Sequence, residues 1–311
     1  MTKTLSSFAA GIIALLVASS PALASASRTF VSGVGTDTGS CPLAAPCRTF
    51  AYTLTQTAPS GEIIVLSSAG YGAVTINQAV SIINTSNFAG VTVASGNGIT
   101  INAGANDSVT LRGLTVDGGG TGSNGIVFNS GAKLTIDQCD VLNFVGGGSI
   151  GNGILIQPTS GNHNIVITNT TASNNQYIGV YYLPPSGTAT TGIVIDRVSA
   201  NNNAYGIAIQ NNSSSGAATA GISNSIASFN TQDGFYFLDA TASLDASNAT
   251  SNGADGVYAS GTLALGRSVI MNNATYGLQI AAGTVNSYKD NRIAGNGIAP
   301  VSGTPAAATL Y

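Results

Sequence analysis

The chain has 311 residues, 43% of them hydrophobic and only 7% charged, with a formal net charge of −3. It carries no basic field to attract nucleic acid or anionic lipid. Its polar character comes from Asn, Ser, Thr and 40 glycines, and the strict spacing of its apolar residues argues for a packed repeat rather than disorder.

At the start, Lys3 precedes an apolar run from Phe8 to Val17, and Pro21-Ala22-Leu23-Ala24-Ser25-Ala26 follows with an Ala-x-Ala site ending at Ala24 or Ala26. This is the pattern of a secretory signal peptide over residues 1–26. The expected mature protein is exported to the periplasm, cell surface or medium. Its apolar runs are too short for a transmembrane segment.

Residues 27–60 form the expected amino-terminal segment. Cys41 and Cys47 bound a short loop, and in an exported protein they are expected to form a disulfide. Metal binding is the weaker alternative, because no His or third Cys lies nearby, and neither a metal nor a cofactor is expected. Phe50, Leu54 and Ala58 fall at helical spacing until Pro59-Ser60-Gly61, which predicts a short helix covering the hydrophobic end of whatever follows. Glu62-Ile63-Ile64-Val65-Leu66 then begins the first strand.

From Asn97 onward one phrase returns, a polar or aromatic residue, a glycine and an aliphatic strand. The glycines are Gly98, Gly125, Gly153, Gly179, Gly206, Gly234, Gly256 and Gly277, at successive spacings of 27, 28, 26, 27, 28, 22 and 21 residues. A period of this size marks a solenoid. The coil from Gly206 divides into Ile207-Ala208-Ile209, Gly221-Ile222-Ser223 and Ile226-Ala227-Ser228, three short strands with period-two alternation. A second register runs from Ile136, Ile167, Ile195, Ser223, Asp245 and Leu265 to an asparagine seven residues on: Asn143, Asn174, Asn202, Asn230, Asn252 and Asn272. These asparagines are expected to stack from coil to coil. The fold class is therefore all-β, a single-stranded parallel β-helix over residues 61–299 with about nine or ten coils, followed by a tail at 300–311. Three longer loops, Val145 to Asn152, Leu183 to Thr191 and Gln210 to Ala220, fit insertions that stack on one side as the wall of a groove, and their glycine and serine content fits flexible spacers equally well. The coils are expected to shorten after Gly256.

The order of Thr49-Phe50 in the helix, Ser60-Gly61-Glu62-Ile63-Ile64-Val65-Leu66, Gly70-Tyr71-Gly72 and Val74-Thr75-Ile76 resembles the entry to exported right-handed parallel β-helix repeat proteins of the pectin-lyase-like superfamily. Arg28-Thr29-Phe30-Val31-Ser32-Gly33 and the Cys41–Cys47 loop resemble a bacterial subgroup of no known activity. The resemblance implies the right hand and the fold. The superfamily includes lyases, hydrolases, epimerases and adhesins, so the scaffold does not choose among activities. Polygalacturonase-like relatives carry Asn-x-Asp, Asp-Asp, Gly-His-Gly and Arg-x-Lys; the last three are absent. Pectate-lyase-like chemistry calls for clustered acids around calcium and an Arg-x-Pro-x-x-Arg phrase, and the chain has one glutamate, Glu62, with scattered cations.

One constellation remains. Asp233 and Asp255 occupy equivalent places in adjacent coils, with Tyr236 and Tyr258 three residues after each and Tyr181 two coils before Tyr236 on the same outward column. Tyrosines there can stack on sugars while the carboxylates accept sugar hydroxyls. Strand preference and turn preference account for the same columns without any function. A second acidic column, Asp137 and Asp196 with Thr168 between, reads equally as a site or as an ordinary surface pair with Arg197 beside Asp196. His163 reads as a loop residue and Cys139 as a small core residue. The leading expectation is a noncatalytic exported protein binding polysaccharide or a cell-surface component. The rivals are a polysaccharide lyase or glycoside hydrolase using Asp233 and Asp255, and a spacer or adhesin-like stalk. No nucleic-acid partner is expected.

Overall fold

A computed structural model of the chain describes residues 25–146, 148, 150–211 and 216–308. The leader expected over residues 1–26 lies outside the described residues up to position 24, and strand Ala26–Val31 opens the fold. That strand lies parallel on Thr57–Val65, so the amino-terminal segment contributes the first rung of the solenoid itself. Each later turn presents three faces of strand, and the chain climbs in parallel register through about nine turns of a right-handed β-helix.

Three faces result. The first holds Asn97–Asn102, Asn124–Ser130, Asn152–Ile156, Ile178–Tyr182 and Tyr205–Gln210 in register, and continues through the front halves of Phe235–Asp245, Val257–Gly266 and Tyr276–Ser287. The second holds Ser108–Arg112, Lys133–Asp137, Asn162–Thr168, Thr190–Asp196 and Ala218–Ser223, then the rear halves of those three long strands. The third is narrow, with strands such as Asp140–Leu142 and Ile226–Ser228, and its two short sheets meet at the single bridge residue Ser199. Alternate side chains point inward and fill one continuous aliphatic core. Ile136, Ile167, Ile195, Ile222, Leu244 and Leu265 form one of its columns.

The turn from the second to the third face costs one residue in the left-handed region, at Gln138, Asn169, Arg197, Asn224, Ala246 and Arg267 in turn. The next residue lies inside the corner, where Thr170, Ser225, Ser247 and Ser268 each donate a hydroxyl back to the carbonyl two residues earlier. Cys139 takes this place in its own coil. Its buried thiol points to the carbonyls of Asp137 and Leu111, and burial pushes its pKa up to about 12, so it is an inert core residue.

At the turn from the third to the first face stands a buried amide ladder, Asn175, Asn203, Asn230, Asn252, Asn273 and Asn296. In every rung from Asn175 to Asn273, the backbone N–H and side-chain amide both donate to Oδ1 of the next asparagine, and the amide also donates to a carbonyl of the preceding turn. This corrects the spacing read from sequence. Counted from the true inward column, the residue seven positions on is the left-handed corner residue, namely Asn143, Asn174, Asn202, Phe229, Ser251 or Asn272. The ladder lies one position further. Asn143, Asn174, Asn202 and Asn272 therefore take the exposed bend, while only Asn230 and Asn252 belong to the ladder.

The repeating glycine is explained by the same corner. A Cβ on Gly206 would sit 2.5 Å from the carbonyl oxygen of Gly234 and 3.0 Å from the amide of Asn230, and equivalent close approaches hold at Gly179, Gly234, Gly256 and Gly277. The glycine and the asparagine share one volume. At the amino-terminal end of the ladder Phe144 replaces asparagine, and its ring occupies the space above Gly118, Gly122 and Gly125.

The expected capping helix is present at Phe50–Gln56, with Thr49 as N-cap accepting from the Tyr52 N–H, and Phe50 and Leu54 buried on the core. Ala58, expected at its end, lies in the following strand. Asp37 ties the helix to the cysteine loop by accepting from the N–H groups of Arg48 and Thr49 and from the Thr49 hydroxyl. Cys41 and Cys47 are disulfide-bonded, and both are fully buried. The loop they close exchanges backbone hydrogen bonds with Phe30. Cys41→Ser with Cys47→Ser should lower stability by about 2 kcal/mol, from loop entropy; thermal melts of the two proteins check it.

The longer loops divide between corners. Leu183 to Thr191 and the described part of Gln210 to Ala220 stack at the turn from first to second face, linked by hydrogen bonds such as Thr188 N–H to Thr159 O and Thr191 N–H to Ala217 O. Val145 to Asn152 is at the opposite corner of the first face. Shortening begins one coil earlier than the sequence suggested: Phe235–Asp245 already runs round the corner as one strand, bent at Asp239 in the left-handed region. The tail is not free, since Ala299–Ser302 and Ala306–Ala307 both pair with Tyr276–Ser287.

Candidate functional site

The outward column of the first face reads Val127, Leu155, Tyr181, Ala208, Tyr236, Tyr258 and Gln279 in register. Val127, Leu155, Tyr181 and Ala208 point outward yet are buried, because Tyr177, Leu183, Tyr205 and Tyr236 close over them in a second hydrophobic cluster outside the solenoid. This corrects the expectation for Tyr181. It is 3% exposed, its ring edge-on to Tyr177 and its hydroxyl donating to Gln210, so it supports the surface and does not present itself to a ligand.

Five tyrosines continue as one chain of ring contacts. Tyr177 meets Tyr181 and Tyr205 edge-on, Tyr205 meets Tyr236 edge-on at 5.6 Å, and Tyr236 stacks on Tyr258 at 4.5 Å with an 11° interplanar angle. Burial pushes the Tyr236 pKa up to about 12, helped by neighbouring Tyr258, Tyr205 and Asp233. Its phenol therefore stays neutral. The stacking has a consequence for binding: each ring covers one face of the other, and Tyr205 closes in on Tyr236 from the remaining side. The far side of Tyr258 is turned toward Gln279, its in-register neighbour one rung on, and both line the groove.

Beside that face lies a groove of about 280 Å³ whose lining includes Asp233, Tyr236, Asp255, Tyr258, Tyr276 and Gln279. The register of the two aspartates is as expected, but their carboxylates point along the stack. Asp233 Oδ1 accepts from the Asp255 N–H at 2.8 Å, and Asp255 Oδ1 accepts from the Tyr276 N–H and from the Thr275 hydroxyl. Both are buried, at 7% and 4% exposure. Each oxygen so used holds a rung together, which is a structural duty.

Burial raises the Asp233 pKa to about 6, the Asp255 N–H opposing the shift and the Asp255 charge adding to it. A carboxyl raised in the folded state stabilises the fold below its unfolded pKa, near 3.8, and that stability is lost as pH climbs through about 6. Asp233→Asn keeps an oxygen for the Asp255 N–H and removes the charge. Its stability relative to wild type should rise from near zero at pH 4 to about 1–3 kcal/mol in its favour at pH 7.5. Denaturant titrations at both pH values check this, and a constant difference would contradict it.

The other sequence candidates are structural. Asp137 Oδ1 accepts from the Thr168 hydroxyl and the Asn169 amide of the next rung, and Asp196 does the same with Ser223 and Asn224. Both carboxyls are held low: at Asp137 the hydrogen bonds and nearby Arg112 overcome burial, and at Asp196 the Asn224 hydrogen bond leads. Arg197 pairs with Asp196, as expected of a surface ion pair. His163 is not in a loop. It sits buried within Asn162–Thr168, with ring nitrogens 2.6 Å from Gly131 O and 2.9 Å from Ser160 O.

A larger trough of about 700 Å³ lies on the second face, floored by Gly192 and Gly221 with Val166, Val194, Thr219 and Ser243 around them. It is open and largely aliphatic, and Lys133 is its one ionisable residue. The tyrosine groove is the better candidate despite its size, because rings, carboxylates and amides converge there. Among the described residues, no three of His, Cys, Asp and Glu come together as metal ligands, and no helix is long and apolar enough to cross a membrane.

The sequence matches no curated protein. A family model described as the right-handed beta helix region matches residues 152–308, half of the chain. Among solved structures the chain is similar to pectate lyase Pel9A, with TM-score 0.52 and 14% identity over 84% of this chain and 67% of that one. It is also similar to the A-module of the Azotobacter vinelandii mannuronan C-5 epimerase AlgE4, with TM-score 0.49 and 14% identity over 81% and 91% of the two chains. A GH136 lacto-N-biosidase from Eubacterium ramulus gives 0.48 and 9% over 91% and 68%. At 14% identity the pectate lyase likeness speaks for the fold alone. From the match over half of the chain and the parallel register together, the chain belongs to the right-handed beta helix family.

Proposed function

We propose that this is an exported, noncatalytic β-helix protein that holds polysaccharide against its first face, at the cell surface, in the periplasm or in the medium. The observation that carries the reading is the tyrosine chain ending at Tyr258, beside a groove lined with Gln232, Asp255, Thr275 and Gln279. An aromatic face with hydrogen-bonding groups at its edge is the ordinary means of gripping a pyranose ring. The leader pattern and the disulfide favour export.

Catalysis draws on one observation, the raised carboxyl of Asp233. Against it, one oxygen of each aspartate is engaged with the next rung, whereas glycoside cleavage uses two carboxyl groups facing each other across a bond. Incubation of the purified protein with a panel of polysaccharides, scored for gel retardation and for chain cleavage in the same samples, tests the proposal. Retardation without cleavage is expected. Cleavage that disappears in Asp233→Asn would replace the binding reading with an enzymatic one, and the absence of both would favour a spacer.

A further inference from the structure

We propose that the tyrosine groove selects uncharged polysaccharide and rejects chains of uronic acids. This rests on the binding reading above and adds the class of ligand. The argument is the distribution of charge around the solenoid. Arg28 and Arg48 lie in the amino-terminal segment. Arg112, Arg197, Arg267 and Lys289 gather at the turn from second to third face, Lys133 opens a second-face strand, and Arg292 lies on the third face. Arg48 reaches Gly70 and Tyr71 at the opening coil, and no cation is among the residues that line the tyrosine groove.

The ionisable side chains lining the groove are two carboxyls and three phenols, Asp233 and Asp255 with Tyr236, Tyr258 and Tyr276. A uronate carboxylate laid over Tyr258 would meet like charge with no guanidinium or ammonium to pair it, and a half-buried site screens that repulsion poorly. Recognition of carboxylates ordinarily relies on arginine forks or bound cations. What the groove does provide is neutral: the amides of Gln232 and Gln279 and the Thr275 hydroxyl, matched to sugar hydroxyls. The same carboxyls that hold the rungs together thus act as a repulsive filter.

The test measures dissociation constants at low salt and without calcium for a neutral β-glucan, a galactomannan, polygalacturonate and alginate, using wild type, Tyr258→Ala and Gln279→Lys. At least one neutral polymer should bind tenfold or more tighter than either uronate, and Tyr258→Ala should weaken it. Gln279→Lys, which places a cation on the groove rim, should narrow the gap severalfold by gaining affinity for uronates. Uronates binding wild type as tightly as neutral chains, through Tyr258, would overturn the specificity and leave the binding face standing. An unchanged gap in Gln279→Lys would also overturn it. Retention of no polymer, or retention indifferent to Tyr258→Ala, would overturn the binding reading and the specificity with it.

Discussion

Asn203→Ala should lower the free energy of unfolding by about 3–5 kcal/mol. Asn203 Oδ1 accepts both from the backbone N–H of Asn175 at 2.9 Å and from its side-chain amide, while its own amide donates to Ala172 O at 3.0 Å and to Asn230. Alanine takes the acceptor from Asn175 and a donor from Ala172, in a corner where water does not enter, and leaves a small cavity. The Asn203 backbone N–H keeps its partner, Asn230 Oδ1, so the damage runs toward the amino terminus of the ladder. Solenoid stability is close to a sum of neighbouring contacts, so amide exchange in Asn175–Tyr182 should accelerate more than in Val257–Gly266. Denaturant unfolding and exchange together check this, and a loss below 1 kcal/mol would contradict the ladder's assigned role.

The glycine column should be nearly as intolerant. A Cβ on Gly256 would lie 2.4 Å from Ile270 Cγ2, 2.6 Å from Asn273 Nδ2 and 2.8 Å from the carbonyl oxygen of Gly277. Since one of those atoms is backbone, relief requires the rungs to part or the ladder amide to turn away. Gly256→Ala should therefore cost about 2–3 kcal/mol. Gly221 makes the control. It lies within Ala218–Ser223, where the nearest atom to its Cβ is Ser243 Oγ at 3.7 Å, in the open trough of the second face. Gly221→Ala should be neutral or stabilise by up to about 1 kcal/mol, by restricting the unfolded chain. Equal losses at the two sites would show that a general loss of glycine's backbone freedom, and not the shared volume with asparagine, governs the column.

Much of this was legible in the sequence because a solenoid repeats its local rules. The spacing of Gly206, Gly234 and Gly256 located the first face, and Ile207-Ala208-Ile209 with its neighbours gave the three-strand turn. Asp233 above Asp255 and Tyr236 above Tyr258 followed from register alone. The failures come from what a period leaves open. Two asparagine columns one residue apart, the exposed bend at Asn202 and the buried rung at Asn203, look alike when counted from an anchor that itself slips by one, as Ser223 and Asp245 do against Ile222 and Leu244. Tyr181 alternates outward as expected. Its burial depends on Tyr177 and Tyr205; Tyr205 is the residue before Gly206 in the repeating phrase and Tyr177 lies one place outside that phrase, and neither position announces a ring that closes over Tyr181. His163 opens a strand whose first residues, Asn162 to Asn164, are polar, so nothing in its neighbours announces an interior position. The direction of the Asp233 and Asp255 carboxylates, along the stack and not across it, follows from hydrogen bonds that sequence does not display.

The chain contains no tryptophan, so its near-ultraviolet emission comes from its 11 tyrosines, and the two variants separate the candidate face's share from the rest. Titrating wild type, Tyr236→Ala and Tyr258→Ala with a retained polysaccharide, with melting temperatures recorded in parallel, measures the role of that face directly. Saturable binding is expected in wild type, with a loss of tenfold or more in Tyr258→Ala, whose ring lies in the middle of the groove lining between Tyr236 and Gln279. A smaller loss is expected in Tyr236→Ala, whose ring is covered on both sides and acts through its neighbour. Equal affinity in all three proteins, with unchanged melting, would contradict the account.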